Sequence, residues 1–236
     1  MSLPDDRLII AIDTPDLSGI LRLANSLRDI VRVVKIGSTS FNAHGPELIG
    51  MIKSIGMDVF LDLKLFDIPQ QVTQTVRDIT SFGVKMFTIH TFGGIDMMKG
   101  AAQATAEQAE RLGIKKPLVM GVTILTSIDD EWLRMLGFDG AERGVDRLVG
   151  FASASGLDGV VASGDDAVRI KDAHQGLKVL VPGIRLDSTP KDDQKRISTP
   201  EAAIKNGADY LVVGRPVTQS KDPGSAAMTI LERIRG

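Results

Sequence analysis

Hydrophobic residues occur along this chain in short runs rich in valine and isoleucine, separated by longer amphipathic segments. Runs of this length and composition predict buried strands, and they recur eight times, at 8–13, 33–37, 59–65, 86–90, 118–124, 159–163, 178–183 and 210–214. Near-continuous apolar strands that alternate with helices indicate a parallel sheet covered by helices. Eight such repeats in 236 residues predict an α/β fold, a single (β/α)8 barrel domain over 1–236.

The segments between the strands carry helix signals. The alanine-rich stretch 93–113 ends in Gly113, which suits a helix C-cap. Pro69 can open a helix that runs to about Phe82, and Pro200 can open another that ends near Gly207. A polar stretch at 186–199 follows the seventh strand and is a candidate lid over a phosphate or substrate.

An open, doubly wound sheet is the alternative fold. Its dinucleotide-binding members carry GxGxxG after the first strand, whereas this chain reads Asp13-Thr14-Pro15 there. No linker or low-complexity tract divides the chain in two. These features favour the barrel.

Composition narrows the classes of function. Charged residues make up 25% and hydrophobic residues 43%, which is typical of folded domains. A net charge of −2 without a basic stripe argues against nucleic acid as a partner. The chain has no cysteine, no run of 18 apolar residues and no basic region that would begin a signal peptide. We therefore expect no membrane association and a cytoplasmic protein.

Charged residues follow or interrupt the first three predicted strands. Asp13 ends the first strand, Lys35 lies near the end of the second, and the third supplies Asp62 and Lys64 with Asp67 just beyond. Because neighbouring strands are about 4.8 Å apart, these groups can converge at one mouth of the barrel. A lone charge at a strand end is usually solvated. The DxKxxD spacing, with the signs alternating from Lys35 to Asp67, instead favours a functional site in which opposite charges offset burial.

Glycine–arginine pairs follow the last two predicted strands. Gly183 and Arg185 come after the seventh strand, and Gly214 and Arg215 come after the eighth. In (β/α)8 enzymes these loops commonly bind phosphate, and arginine supplies a forked donor set. The pairs therefore predict a phosphorylated substrate, although Arg215 could instead neutralise a local carboxylate such as Asp222.

Three further polar residues admit two interpretations each. His90 ends the fourth strand, where a lone histidine is more often a hydrogen-bonded core residue than an acid or base. Thr126 and Ser127 could hydrogen-bond a polar ring, or they could cap the helix that starts near Asp129.

With these residues assembled, the chain closely resembles the orotidine 5′-phosphate decarboxylase family. The resemblance rests on LIIAID, VKIG, LDLKLFDIP, VTILTS, PGIR with a later DQKR, and LVVGRPV, in this order along nearly the whole chain. DxKxxD is shared with a wider superfamily, but the ordered set is specific. The family implies decarboxylation of orotidine 5′-monophosphate to UMP in pyrimidine biosynthesis, without a metal or an organic cofactor.

The resemblance also implies a role for each charged residue. Lys64 is expected to deliver a proton to C6 of the pyrimidine, and Asp62 to lie beside the substrate carboxylate. Lys35 and Asp67 complete the network and touch the ribose hydroxyls, which Asp13 also binds. In this family the residue at the position of Asp67 reaches into the other subunit's site, so the resemblance implies a homodimer.

The remaining expected contacts involve the pyrimidine, the ribose and the phosphate. Thr126 corresponds to a pyrimidine contact. Gln71 stands where relatives often have a threonine near the ribose, so its contact there is open. The phosphate-binding set corresponds to Arg185, Gln194, Gly214 and Arg215.

Two other functions fit parts of the pattern. A metal-dependent sugar-phosphate decarboxylase or aldolase of the same superfamily would need further carboxylates, and VVKIG and FTIH supply none at their strand ends. A catalytically silent binder of phosphorylated ligands would have no need of an interior Lys64.

Overall fold

The computed structural model describes residues 5–186 and 197–235, and its centre is a closed barrel of parallel strands. In these two ranges eight strands pair each with the next, and the last pairs with the first. They are β1 Asp5–Ile12, β2 Val31–Gly37, β3 Asp58–Leu65, β4 Met86–His90, β5 Leu118–Val122, β6 Gly159–Val161, β7 Lys178–Val181 and β8 Tyr210–Val213. The predicted barrel is confirmed, and the open doubly wound sheet is excluded.

Helices connect the strands and surround the barrel. They are α1 Leu17–Leu27, α2 Ser38–His44, α3 Glu47–Ser54, α4 Pro69–Ser81, α5 Gly94–Leu112, α6 Asp130–Met135, α7 Ala141–Ala154, α8 Asp166–Ala173, α9 Pro200–Lys205, α10 Arg215–Thr218 and α11 Pro223–Arg235, with a 3-10 turn at Thr91–Gly93. Within the described ranges none of them is long and apolar enough to cross a membrane.

The helices begin and end at the residues that the sequence signals predict. Pro69 is the first residue of α4, and Pro200 is the first residue of α9, whose N-cap Thr199 accepts a hydrogen bond from the backbone of Ala202. Gly113 caps α5 with a left-handed φ of 63°, which glycine adopts without steric cost.

Several strands end earlier than their apolar runs. β5 stops at Val122 and β6 at Val161, two residues before the predicted ends in each case. The residues beyond them remain buried, with Ile124 only 3% exposed and Ala162 only 2% exposed. The apolar sequence run is therefore longer than the strand, because residues of the following loop also pack into the core.

The hydrophobic core has two parts, one inside the barrel and one between the strands and the helices. Successive side chains of a strand point to opposite faces, so every second residue points inward. The inner cluster contains Ile9, Ala11, Val33, Phe60, Met86, Met120, Leu180 and Val212. One inward step beyond three of these residues lie Lys35, Asp62 and Thr88, at the carboxyl ends of their strands. The two-residue alternation therefore places these three polar side chains at the mouth of the barrel.

Candidate active site

Four charged side chains form an alternating chain at the mouth of the barrel. Lys35 Nζ lies 3.1 Å from Asp13 Oδ1 and 3.4 Å from Asp62 Oδ2. Lys64 Nζ donates to both carboxylate oxygens of Asp62 at 2.9 Å. Two carboxylates and two ammonium groups balance, so the cluster carries no net charge. Lys35 is buried, whereas the side chain of Lys64 is 39% exposed toward the cavity.

Within one chain, the alternation of charges includes Asp13 and does not include Asp67. The pattern predicts an alternation that ends with Lys64 and Asp67, but in the structure Asp13 supplies the outer carboxylate, next to Lys35. Asp67 is exposed, and its Oδ1 accepts a hydrogen bond from the backbone of Ile68 at 2.6 Å. It lies past the end of β3, where the chain has left the barrel wall.

Gly37 leaves the room that the first ion pair occupies. Its Cα faces the pair, and a Cβ built there would overlap Asp13 Oδ1 and lie 3.1 Å from Lys35 Nζ. A contact of that length is tighter than side chains normally tolerate. A side chain at Gly37 would therefore displace the Asp13–Lys35 pair from its observed position, a role that the sequence analysis missed.

Thr88 hydrogen-bonds to Asp62 and Lys64 of the charged chain, and the sequence analysis did not identify it. Its hydroxyl donates to Asp62 Oδ1 at 2.9 Å and accepts the backbone N–H of Lys64 at 2.9 Å. Thr88 lies two residues after the inward-facing Met86, so the alternation that identified Lys35 and Asp62 could have found it.

The strand β3 is not regular where it carries the site. Its register with β4 shifts between Leu61 and Leu65, and Lys64 has a φ of 51°. In residues 5–186 and 197–235 no other non-glycine residue has a positive φ. Such a conformation costs a residue with a Cβ about 1–2 kcal/mol. The predicted strand over 59–65 thus contains a bulge at the residue whose amine contacts Asp62.

The electrostatic environment keeps Asp62 ionised. Burial raises the pKa of this carboxyl, but the ammonium groups of Lys35 and Lys64 and the hydrogen bonds from Lys64 and Thr88 outweigh burial. The pKa of Asp62 therefore lies below its ordinary value. An anion at this position is a fixed feature of the site at neutral pH.

His90 is a neutral neighbour of this cluster. Burial first, and then the charge of Lys64, lower the pKa of His90 below its ordinary value. Its Nδ1 accepts the backbone N–H of Phe92 at 3.5 Å, and its ring lies 5.8 Å from that of Phe66. His90 thus makes the hydrogen bond that the core interpretation expects, but its ring is only partly buried.

A cavity of about 560 Å³ opens above the charged chain. Strands β3 and β7 are four positions apart in the closed barrel, so their ends face one another across it. The charged chain lines one side, and the other predicted residues that line the cavity are Thr126, Ser127, Gly183, Arg185, Gly214 and Arg215. The cavity wall thus combines the carboxylates and ammonium groups of the charged chain with two arginines that follow β7 and β8, and arginine is a residue type that suits an anion.

The structure excludes one of the two interpretations of Thr126 and Ser127, the capping of the helix near Asp129. Asp129 is the N-cap of α6, and its side chain accepts a hydrogen bond from the backbone of Trp132. Neither Thr126 nor Ser127 is that cap. Thr126 is instead a buried residue of the cavity wall, at 7% exposure.

Two predicted ligand-binding residues do not line the cavity of their own chain, and one is outside the described ranges. Asp67 and Gln71 are exposed, the latter in the first turn of α4, and the lining residues include neither. Gln194 and most of the predicted lid, 187–196, lie outside the residues that the structure describes.

Carboxylates and histidines do not cluster as metal ligands in the described ranges. Within 5–186 and 197–235, no group of three or more His, Asp or Glu side chains is arranged to hold a metal ion. The carboxylate at the centre of the site, Asp62, has both oxygens engaged by Lys64, with Lys35 and Thr88 adding a contact each.

Comparisons with known proteins agree with the geometry. The model of the "Orotidine 5'-phosphate decarboxylase / HUMPS family" matches residues 6–230. A curated orotidine 5′-phosphate decarboxylase of Pseudomonas fluorescens (strain SBW25) is 39% identical over 99% of this chain and 100% of its own. One from Saccharophagus degradans is 42% identical over 94% of this chain and 92% of its own. The crystal structure of the Lactobacillus acidophilus enzyme superimposes with a TM-score of 0.86 at 28% identity, covering 98% of this chain and all of that one.

Proposed function

The chain belongs to the orotidine 5′-phosphate decarboxylase / HUMPS family, and we propose that it converts orotidine 5′-monophosphate to UMP in pyrimidine biosynthesis. The observation that carries this proposal is the alternating chain Asp13–Lys35–Asp62–Lys64 at one side of a cavity that Arg185 and Arg215 also line. Such a site offers separate subsites for a phosphate and for a reacting carboxylate.

The two ends of the cavity orient the substrate. Arg185, Gly214 and Arg215 receive the 5′-phosphate, as the loops after β7 and β8 commonly do in this fold. The ribose hydroxyls then lie near Asp13 and Lys35, and the pyrimidine lies along the wall that contains Thr126. The substrate carboxylate points toward Asp62 and Lys64. Binding energy from the phosphate thereby holds the reacting carbon at the charged chain.

The reaction breaks the bond between C6 and the carboxylate and leaves its electron pair on C6. No adjacent carbonyl delocalises that charge, so its stabilisation has to be electrostatic. The Lys64 ammonium, fixed by Asp62 at 2.9 Å, faces the developing charge with little reorganisation. It then transfers a proton to C6, CO2 leaves, and solvent reprotonates the amine.

The proposed reaction uses neither a metal nor an organic cofactor. A cation would have to compete for Asp62 with two ammonium groups that already contact its oxygens. Turnover measured before and after extensive treatment with EDTA tests this point. We expect the same rate in both samples, and abolition by EDTA would favour the metal-dependent alternative of the same superfamily.

We also propose that the chain acts as a homodimer in which Asp67 completes the partner's site. Asp67 does not line the cavity of its own chain, and its neighbours Phe66 and Ile68 are 64% and 61% exposed. Large apolar side chains that flank a carboxylate in this way are typical of a surface that a second copy covers. Asp67 would then reach the ribose of the substrate bound to the other chain.

The direct test adds orotidine 5′-monophosphate and follows its ultraviolet absorbance together with the release of CO2. We expect turnover by the wild-type chain and none by Lys64→Ala, with UMP binding retained in the variant. Binding of UMP without any turnover by the wild type would instead support a silent phosphate-ligand binder. Unchanged turnover by Lys64→Ala would refute the role of the lysine.

Subunit mixing tests the role of Asp67. Lys64→Ala and Asp67→Ala are each expected to be inactive, but a mixed dimer restores one complete site from the intact Lys64 of one chain and the intact Asp67 of the other. Partial recovery after subunit exchange supports the proposal. Inactivity after exchange has been demonstrated by mass spectrometry would assign Asp67 to its own chain's site.

A further inference from the structure

We propose that Thr88 is a positioning residue, whose hydroxyl fixes both the carboxylate of Asp62 and the backbone of Lys64 for catalysis. The inference rests on the proposed decarboxylase function and extends it to a residue outside the charged chain. Thr88 is 1% exposed on the inner face of β4 and does not line the cavity, so it acts through its neighbours.

The hydroxyl of Thr88 makes one hydrogen bond in each direction. It donates its hydrogen to Asp62 Oδ1 at 2.9 Å and accepts the backbone N–H of Lys64 at 2.9 Å. One hydroxyl carries one donor and two acceptor lone pairs, so it can do both at once. The β-branched side chain of threonine is stiff about χ1, which limits the freedom of both partners.

The bulge in β3 explains why a side chain is needed here. Leu61 pairs with Phe87 and Leu65 pairs with Ile89, so three residues of β3 lie opposite the single residue Thr88 of β4. The regular ladder is interrupted at Lys64, and its N–H bonds to the threonine hydroxyl instead of a strand carbonyl. The hydroxyl of Thr88 thus replaces a backbone carbonyl as the hydrogen-bond acceptor of the Lys64 N–H.

The same bond supports the strained backbone of the proposed proton donor. Lys64 has a φ of 51°, a conformation that persists only where surrounding contacts hold it. This conformation aims the amine at Asp62, whose orientation is set by the donated hydrogen of the same hydroxyl. Loss of the hydroxyl would therefore release both members of the reacting pair together.

Three variants test this role with matched controls. Thr88→Val keeps the shape and removes the hydroxyl, whereas Thr88→Ser keeps the hydroxyl. Thr105→Val removes another buried threonine hydroxyl, one that bonds only to the Ala101 carbonyl within α5. Measurements are kcat and KM for orotidine 5′-monophosphate, the Kd for UMP by calorimetry, and the thermal midpoint of each protein.

We expect Thr88→Val to lose about 10- to 100-fold in kcat, the scale of a small misplacement of reacting groups, with the Kd for UMP within about threefold of wild type. Thr88→Ser should stay within about threefold in kcat, and Thr105→Val should lower only the thermal midpoint. Wild-type kcat in Thr88→Val overturns the inference. So does an equal loss in Thr88→Ser or in Thr105→Val, since either would indicate general packing. A wild-type chain without turnover overturns the proposed function itself, and the positioning role with it.

Discussion

Replacement of Asp62 by asparagine removes the central negative charge of the site and keeps its shape. The amide oxygen can still accept the hydrogen bond from Thr88, but an NH2 group, which cannot accept a hydrogen bond, then replaces the oxygen that contacts Lys35 and Lys64. Lys35 and Lys64 then face each other with only Asp13 as a counter-ion, and the balanced cluster gains a net charge of +1. We expect Asp62→Asn to unfold more readily at pH 7 and to lose decarboxylation.

The size of the effect follows from the contacts. At an effective dielectric of about 20, unit charges attract by roughly 5 kcal/mol at the 3.4 Å observed for Lys35 and by roughly 6 kcal/mol at the 2.9 Å observed for Lys64. Desolvation of the carboxylate, which is absent in the variant, cancels several kcal/mol of this attraction. Solvent screens the contact with Lys64 further, because that side chain is 39% exposed. The free energy of unfolding should therefore fall by about 2–4 kcal/mol.

Urea denaturation followed by circular dichroism measures this loss, with Asp58→Asn as the control. Asp58 lies on the same strand and pairs with Arg32 at 3.2 Å, but both side chains are substantially exposed, at 38% and 48%. Such surface pairs contribute about 0–1 kcal/mol, so the control should unfold almost like wild type. Equal stability of Asp62→Asn and wild type at pH 7 would refute the reasoning.

Acidification provides a second check on Asp62. The pKa of Asp62 is lowered by the folded site, so its stabilisation is fully present above the ordinary value of 3.8 and is lost as pH falls through the folded pKa. The gap between wild type and Asp62→Asn should therefore be constant from pH 7 to about pH 5 and should narrow only below the ordinary value of 3.8. A gap that narrows between pH 7 and 5 would contradict this assignment.

Three further variants probe the rest of the site. Gly37→Ala should lower kcat/KM at least about tenfold, because its Cβ displaces the Asp13–Lys35 pair, whereas Gly50→Ala, with open space around it, should match wild type. Arg215→Ala should lower kcat/KM for orotidine 5′-monophosphate about 10- to 100-fold through lost charge-assisted contacts with the phosphate, while Arg147→Ala on the exposed face of α7 should not. The pKa of His90 is lowered from 6.5, so wild type loses stability as pH falls from 6.5 through the folded pKa; His90→Asn should lose less between pH 7 and 5 by urea denaturation.

The repeating pattern of the sequence was sufficient to predict the barrel and the place of the charges. Eight apolar runs give eight paired strands in the described ranges, and the alternation of side chains correctly brings Lys35 to Asp62. It succeeds because both signals depend on local geometry: a two-residue period decides which side chains point inward, and the strand order decides which of them are neighbours.

The details that the sequence did not predict depend on geometry between strands. The bulge at Lys64 arises from the register of β3 against β4, and no local pattern in LDLKL reports that register. The two-residue period could have identified Thr88 as an inward-facing residue, but its bond to the Lys64 backbone forms where the register shifts and is not visible in the sequence. The space beside Gly37 is filled by the side chain of Asp13, which follows a different strand. The place of Asp67 depends on how the chain leaves the barrel after Leu65.

The apolar layer beneath the site links the stability of the barrel to its proposed chemistry. Lys35 and Asp62 each lie one inward step beyond a fully buried apolar residue, Val33 and Phe60 respectively. This floor keeps water from reaching the charges from below, so they interact in a less polar medium than at a surface. The cavity above them stays open to the substrate. Opposite charges that are already paired and held by the barrel wall do not have to reorganise when charge develops on the substrate, which is the condition for strong electrostatic catalysis.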